Sequence, residues 1–233
     1  MARAPIKIES FLANLPLFKA LAPAEIAPIA AGTTEVFVPK GGIVFQRGDP
    51  CVGFHLVVYG QVKLAFVSPQ GGEKVVEIIG PGASFGEALM FMEMPYILMA
   101  QALADSLLLH VDRDVVFREI ERQPAFARKM LAGLSRRLHS LMHDVEAYSL
   151  QSGTQRVIGY LLRQDAANDG EGETAPYTVT LPTSKAIVAS RLNVTPEHFS
   201  RILHDLVEGN LIAVDGRDVR ILDVPRLREY GSR

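Results

Sequence analysis

The stretch TSKAIVASRLNVTPEHFSRILHDLVEGNLI, residues 183–212, leaves few folding choices. Thr183 is placed to cap a first helix whose apolar side carries Ile187, Val188 and Leu192. Asn193 then stands where the chain must reverse, and Asn tolerates left-handed backbone geometry better than most residues. Thr195 followed by Pro196 reads as an N-cap with proline at the first helical position. Phe199, Ile202, Leu203 and Leu206 form the buried face of a second helix, and Gly209-Asn210 ends it. Ala189 is small, as a close helix crossing requires. The pattern predicts a helix-turn-helix.

The second helix then turns Glu197, His198, Ser200 and Arg201 outward at its amino end, where a recognition helix meets base edges in the major groove. Arg201 can pair bidentately with guanine, Glu197 can accept from cytosine N4, and Ser200 can serve either base. Thr183, Ser184, Thr195 and His198 complete the candidate DNA-contacting set on these helices. After them LIAVDGRDVRIL reads as two strands around an Asp215-Gly216 turn, a wing that brings Arg217 to phosphate. Bulk charge does not assist: the formal net charge is −2, so DNA binding rests on local geometry.

Upstream the hydrophobic period changes twice. Residues 10–31 read as short helices, the first after a Ser10 cap. From Val36 to Val111, short β-branched and aromatic runs alternate with glycine turns, predicting a compact β-barrel or jelly roll. A short helix is expected around Val115–Glu121. Then Ala127, Leu131, Leu134, Leu138, Leu141, Val145 and Tyr148 recur at 3.5-residue spacing. A helix of about 25 residues spans roughly 37 Å, long enough for Leu131, Leu134, Leu138, Leu141 and Val145 to form a two-fold seam with a second copy rather than cover their own domain. Residues 154–167 predict a further amphipathic helix and 168–176 a polar loop. The expected organisation is α+β: a β-domain with N-terminal helices over 1–123, a dimerisation helix over 124–150, and a winged helix-turn-helix over 151–233.

Cys51 is the one cysteine, which excludes a disulfide within the chain and a cluster of thiolates. The amino terminus lacks the apolar core of a signal peptide, and no apolar run is long enough to span a membrane, so a cytoplasmic location is expected.

The whole order from about residue 10 to 230 resembles the Crp/Fnr family of bacterial transcription regulators. Its fold would be a cyclic-nucleotide-binding-like β-roll, a long dimerisation helix and a winged helix-turn-helix. The run from Glu197 to Arg201 looks like the Glu-x-x-Ser-Arg pattern of the Fnr-type branch. That resemblance implies a homodimer reading a TTGAT-like palindrome on double-stranded DNA, with RNA polymerase as a further partner. In this reading Glu197 and Arg201 match the base readers and Ser200 the discriminating serine.

The sensor half departs from two familiar chemistries. Cyclic-nucleotide binders follow Gly-Glu with an Arg-Ser/Thr pair that holds the phosphate; here Gly86-Glu87 is followed by PYILMA, placing Tyr96-Ile97 at that pair. An iron–sulfur cluster needs four thiolates and is not expected. The phrase EALMFMEMP followed by AQA looks most like the Dnr type, denitrification regulators regarded as haem-based sensors of nitric oxide. Phe85, Gly86, Glu87, Met90, Met92, Tyr96, Leu98 and Met99 are the candidate lining of an apolar pocket, since Met adapts to irregular shapes. Haem is the cofactor this implies. Its axial ligand stays open among His55, His110 and the methionines of the segment. Two other readings stand beside it: a cyclic-nucleotide-responsive regulator with a different phosphate clasp, and a metal-dependent cupin-type enzyme. The second needs clustered histidines, and His55 and His110 stand alone in their strands.

Overall fold

The computed structural model describes residues 6–15, 18, 21–163 and 176–231. The chain divides into two compact units, Met1–Ser140 and Leu141–Arg233, each with its own apolar core.

The first unit is a β-roll of two four-stranded antiparallel sheets. Its strands are β1 (Thr33–Val38), β2 (Ile43–Phe45), β3 (Gly53–Tyr59), β4 (Val62–Val67), β5 (Glu73–Ile79), β6 (Ser84–Phe85), β7 (Met99–Ala102) and β8 (Ser106–Asp112). One sheet runs β1-β8-β3-β6 and the other β2-β7-β4-β5, so consecutive strands other than β4 and β5 fall in different layers, as in a jelly roll. Helices α1 (Ile8–Ala13), α2 (Pro23–Ala31) and α4 (Arg113–Arg122) accompany the roll. Ser10 lies inside α1, whose N-cap is Lys7, so the expected Ser cap is not used. Asp112 caps α4 by accepting from the Asp114 and Val115 amides.

Between β6 and β7 the methionine-rich segment forms α3 (Glu87–Phe91), which sequence periodicity did not indicate. The chain enters it through Gly86 at φ 99°, a left-handed N-cap that only glycine adopts without strain. Gly53 answers a different need. A Cβ there would lie 2.2 Å from the Val111 carbonyl oxygen and 2.6 Å from Cε1 of His110, so close packing of β3 on β8 excludes any side chain.

Helix α5 (Pro124–Leu150) begins in this unit, with Phe126 and Met130 in the core of the roll and Phe126 stacked on Phe18. The second unit contains α6 (Gly153–Arg163), β9 (Tyr177–Thr180), α7 (Lys185–Arg191), α8 (Pro196–Glu208), β10 (Ile212–Asp215), β11 (Asp218–Ile221) and α9 (Val224–Gly231). The described part of α6 covers most of the helix expected over 154–167. The tail of that helix and nearly all of the 168–176 loop fall outside the described residues. Strands β10, β11 and β9 make one antiparallel sheet, so the expected hairpin wing gains a third strand. Burial of Phe199, Ile202, Leu203 and Leu206 fixes α8 on this core; each such side chain contributes about 1.5–3 kcal/mol of transfer free energy.

Candidate functional site

In the second unit α7 and α8 meet through Ala189, which is fully buried and leaves the other helix room to approach. Asn193 turns the chain at φ 56°, the left-handed geometry its position calls for. Thr195 caps α8, its Oγ1 accepting from the His198 amide at 3.2 Å. Arg156 on α6, not singled out in the sequence, holds this turn from the side. Its Nε donates to the Leu192 carbonyl at 2.9 Å and its Nη2 to the Asn193 carbonyl at 3.1 Å. Its Nη1 donates to the Gln151 carbonyl at 2.6 Å. The end of α7 is closed by its own backbone, the Val188, Ala189 and Ser190 carbonyls accepting from the Leu192, Val194 and Asn193 amides, and the planar guanidinium takes the two carbonyls just beyond it.

With the turn held, Thr195, Glu197, His198, Ser200 and Arg201 stand exposed on the first two turns of α8, and Ser184 and Arg217 are exposed elsewhere on the same unit. Thr183 is a correction. It is buried at 7% exposure, and Ser184 occupies the N-cap of α7, so Thr183 neither caps the helix nor offers its hydroxyl to a nucleic acid. Capping needs extended backbone at the residue immediately before the helix, which composition alone could not separate between adjacent Thr and Ser.

On α5, Leu131, Leu138, Leu141 and Val145 are exposed, and Leu134 is half-buried. Exposures of 60% and more at Leu131, Leu138 and Val145 are unusual for apolar residues repeated along one helix.

The candidate pocket lining is divided. Phe85, Met90 and Tyr96 belong to the core of the roll, Glu87 is buried, and Leu98 and Met99 are half-buried. Met92 is 61% exposed and lines no interior space, which corrects its assignment. Tyr96 stacks on Phe45 with ring centroids 3.5 Å apart, and Phe45 also packs against Phe85 and His55. The Tyr96 hydroxyl donates to the Gly53 carbonyl. Burial first, then its hydrogen bond with Cys51, pushes that phenol up. The Cys51 thiol is buried, with the carbonyls of Gly53 at 3.3 Å and Gly86 at 3.7 Å both within reach of its single S–H. Among the described residues Lys63 is the one buried cation, and it is already paired with Glu73.

The two histidines do not stand alone. Strand pairing sets His55 directly opposite His110, with ring centroids 4.8 Å apart. Burial, and then the charge of His110, lower His55 to about 3; burial also lowers His110, against an opposing pull from Asp112. This juxtaposition depends on pairing between residues 55 positions apart, which a single sequence does not display.

A two-layered β-roll followed by a helix-turn-helix with an attached β-sheet defines a sensor joined to a winged DNA-binding unit. The Cyclic nucleotide-binding domain family matches residues 35–123, and the Crp-like helix-turn-helix domain family matches residues 155–230. The CRP-like cAMP-activated global transcriptional regulator of Mycobacterium tuberculosis is 27% identical over 94% of this chain and 98% of its own. The crystal structure of DNR from Pseudomonas aeruginosa is 34% identical with a TM-score of 0.53, covering 98% of this chain and 100% of that one. FixK2 from Bradyrhizobium japonicum, at 22% identity, has the same fold, with a TM-score of 0.74 over 84% of this chain and 96% of its own. The chain belongs to the Crp/Fnr family and is a DNA-binding transcription regulator of that type, not an enzyme. None of its described helices is long and apolar enough to cross a membrane.

The depressed His55 sets a pH dependence. Its folded value of about 3 lies below the ordinary 6.5, so the neutral imidazole stabilises the fold fully above about pH 6.5, and that contribution is lost as pH falls toward 3. Urea unfolding of the protein is expected to lose roughly 1.4 kcal/mol per pH unit below pH 6 relative to His55→Phe; parallel curves for the two would contradict it.

Proposed function

We propose that this regulator acts as a homodimer that reads a TTGAT-like palindrome through α8 and responds to a small signal admitted by the β-roll. The observation that carries the reading is the exposed first two turns of α8, where Glu197, Ser200 and Arg201 stand on a helix held by the Thr195 cap and the Arg156 clamp. Glu197 and Arg201 are the base readers, Ser200 discriminates, and Arg217 on the wing contacts phosphate with Ser184, Thr195 and His198 flanking. The exposed Leu131, Leu138, Leu141 and Val145, with Leu134, form the seam between two copies. RNA polymerase is the further partner, by family resemblance. The residue boundaries proposed for sensor, dimerisation helix and DNA-binding domain are 1–123, 124–150 and 151–233.

Sequence resemblance to the Dnr type implied haem as the carrier of a nitric-oxide signal. The packing beside Gly86 and Glu87 does not fit a macrocycle there, because Phe45 and Tyr96 lie against each other and Phe85 and Met90 are fully buried. The effector proposed is therefore smaller than haem. A cyclic nucleotide is the second reading, favoured by the family match over residues 35–123 and by the name of the mycobacterial relative. Against it, Tyr96 and Ile97 supply no cation, and burying a phosphate beside them is costly.

Two measurements test these readings. In fluorescence anisotropy with a TTGAT palindrome, Arg201→Ala is expected to lose about 1–3 kcal/mol of discrimination against a scrambled duplex; undiminished discrimination would remove Arg201 as a reader. Titration of the purified protein with haem is expected to give no stoichiometric Soret band, and with cyclic AMP no saturable heat. A one-to-one band that shifts under nitric oxide would restore haem, and micromolar binding of cyclic AMP would establish the second reading.

A further inference from the structure

Two residues, Gln151 and Ser152, join the end of α5 to α6. Ser152 and Gln155 bond reciprocally there. Oγ of Ser152 accepts from the Gln155 amide at 3.2 Å, and Oε1 of Gln155 accepts from the Ser152 amide at 2.7 Å. This capping box gives the first turn of α6 a fixed start. Gly153 follows, and a Cβ there would lie 3.1 Å from Cγ1 of Val194 and 3.3 Å from Cε1 of His198. The start of α6 thus lies close against the turn between α7 and α8 and against the first turn of α8.

Arg156 is half-buried and reaches both sides of this arrangement. Nη1 donates to the Gln151 carbonyl, where α5 ends, while Nε and Nη2 donate to Leu192 and Asn193, where the chain turns toward α8. Because α7 closes its own end through backbone bonds, those two contacts are not needed to terminate a helix. Their effect is on direction. One rigid plane is bonded at once before α6 and after α7, and three of its five donors are committed within the unit. The half of α5 that begins at Leu141 belongs to the same compact unit and carries Leu141 and Val145 of the seam.

We propose, on the reading that α8 meets base edges and α5 carries the seam between copies, that Arg156 is a positioning residue that sets the direction of α8 against the end of α5. It thereby selects the half-site spacing that the dimer accepts. Two recognition helices must enter major grooves about 34–36 Å apart, and one added base pair turns a half-site by roughly a tenth of a helical turn. A reader that rejects so small a change needs α8 held firmly with respect to the seam, and the bonds of Arg156 to Gln151, Leu192 and Asn193 supply that hold. Lysine at this position would keep the charge but offer a point donor in place of the planar fork.

The test compares the full-length protein with Arg156→Lys and Arg156→Met on three duplexes by fluorescence anisotropy. These are a single TTGAT-like half-site, the palindrome at one-turn spacing, and that palindrome with one base pair inserted between its half-sites. The unmodified protein is expected to bind the one-turn palindrome at least about 100-fold more tightly than the half-site, and to lose much of that advantage on the insertion. In both variants the advantage is expected to shrink by about tenfold or more, with the two spacings bound nearly alike. The salt dependence of binding is expected to stay the same, whereas a lost phosphate contact would lower its slope by about 0.9. Should Arg156→Met fail to fold, Arg156→Lys carries the test. Spacing selectivity retained in Arg156→Lys, an equal loss on all three duplexes, or a lower salt slope in Arg156→Met would each overturn the proposal and leave the two-fold reading in place. No palindrome advantage in the unmodified protein would overturn the two-fold reading and the proposal with it.

Discussion

The grip of Arg156 on the carbonyls of Leu192 and Asn193 holds α6 against the turn that leads into α8. The left-handed turn at Asn193 closes α7 through its own backbone, the Val188, Ala189 and Ser190 carbonyls accepting from the Leu192, Val194 and Asn193 amides. One guanidinium then takes the two carbonyls beyond that end and ties α6 to the turn, while Ala189 and Phe199 are both fully buried. Because Thr195 then caps α8 from its own backbone neighbour, the first two turns of that helix are set by local chemistry as well as by the core. The charged and hydroxyl side chains they carry can therefore be presented in a constant arrangement. Preorganised donors of this kind give base discrimination without a large net charge.

The sensor unit obeys a different constraint. Its two sheets must fill the space between them, and they do so with rings: Phe45 against Tyr96, Phe85 against His55, and His55 beside His110. Where a cyclic phosphate would require a cation, this chain has put aromatic packing and a tyrosine bonded to the Gly53 carbonyl. The roll keeps the family's topology and carries aromatic packing at this place.

Much of this was legible in the sequence because the signals were local. Pro196 after Thr195, Asn193 at the reversal and the 3.6-residue spacing of Phe199, Ile202, Leu203 and Leu206 all act within a few residues, and they placed α8 correctly. Glycine spacing likewise announced the roll. What stayed hidden was non-local or conformational. Arg156 and Leu192 are 36 positions apart, and the histidines meet only through strand register. Thr183 and Ser184 are adjacent, yet only Ser184 occupies the N-cap, and Met90 is buried inside a short helix while Met92 is exposed at its C-cap.

The central claim is a two-fold DNA reader, and the spacing of its half-sites tests it most directly. Binding of the full-length protein to TTGAT-like palindromes should be tight when the half-sites lie one helical turn apart, about 10–10.5 base pairs centre to centre. Inserting roughly half a turn, about 5 base pairs, rotates one half-site to the opposite face of the duplex, and affinity is then expected to fall to that for a single half-site. Affinity unchanged by the insertion would contradict a dimer that holds two copies of α8 in fixed register.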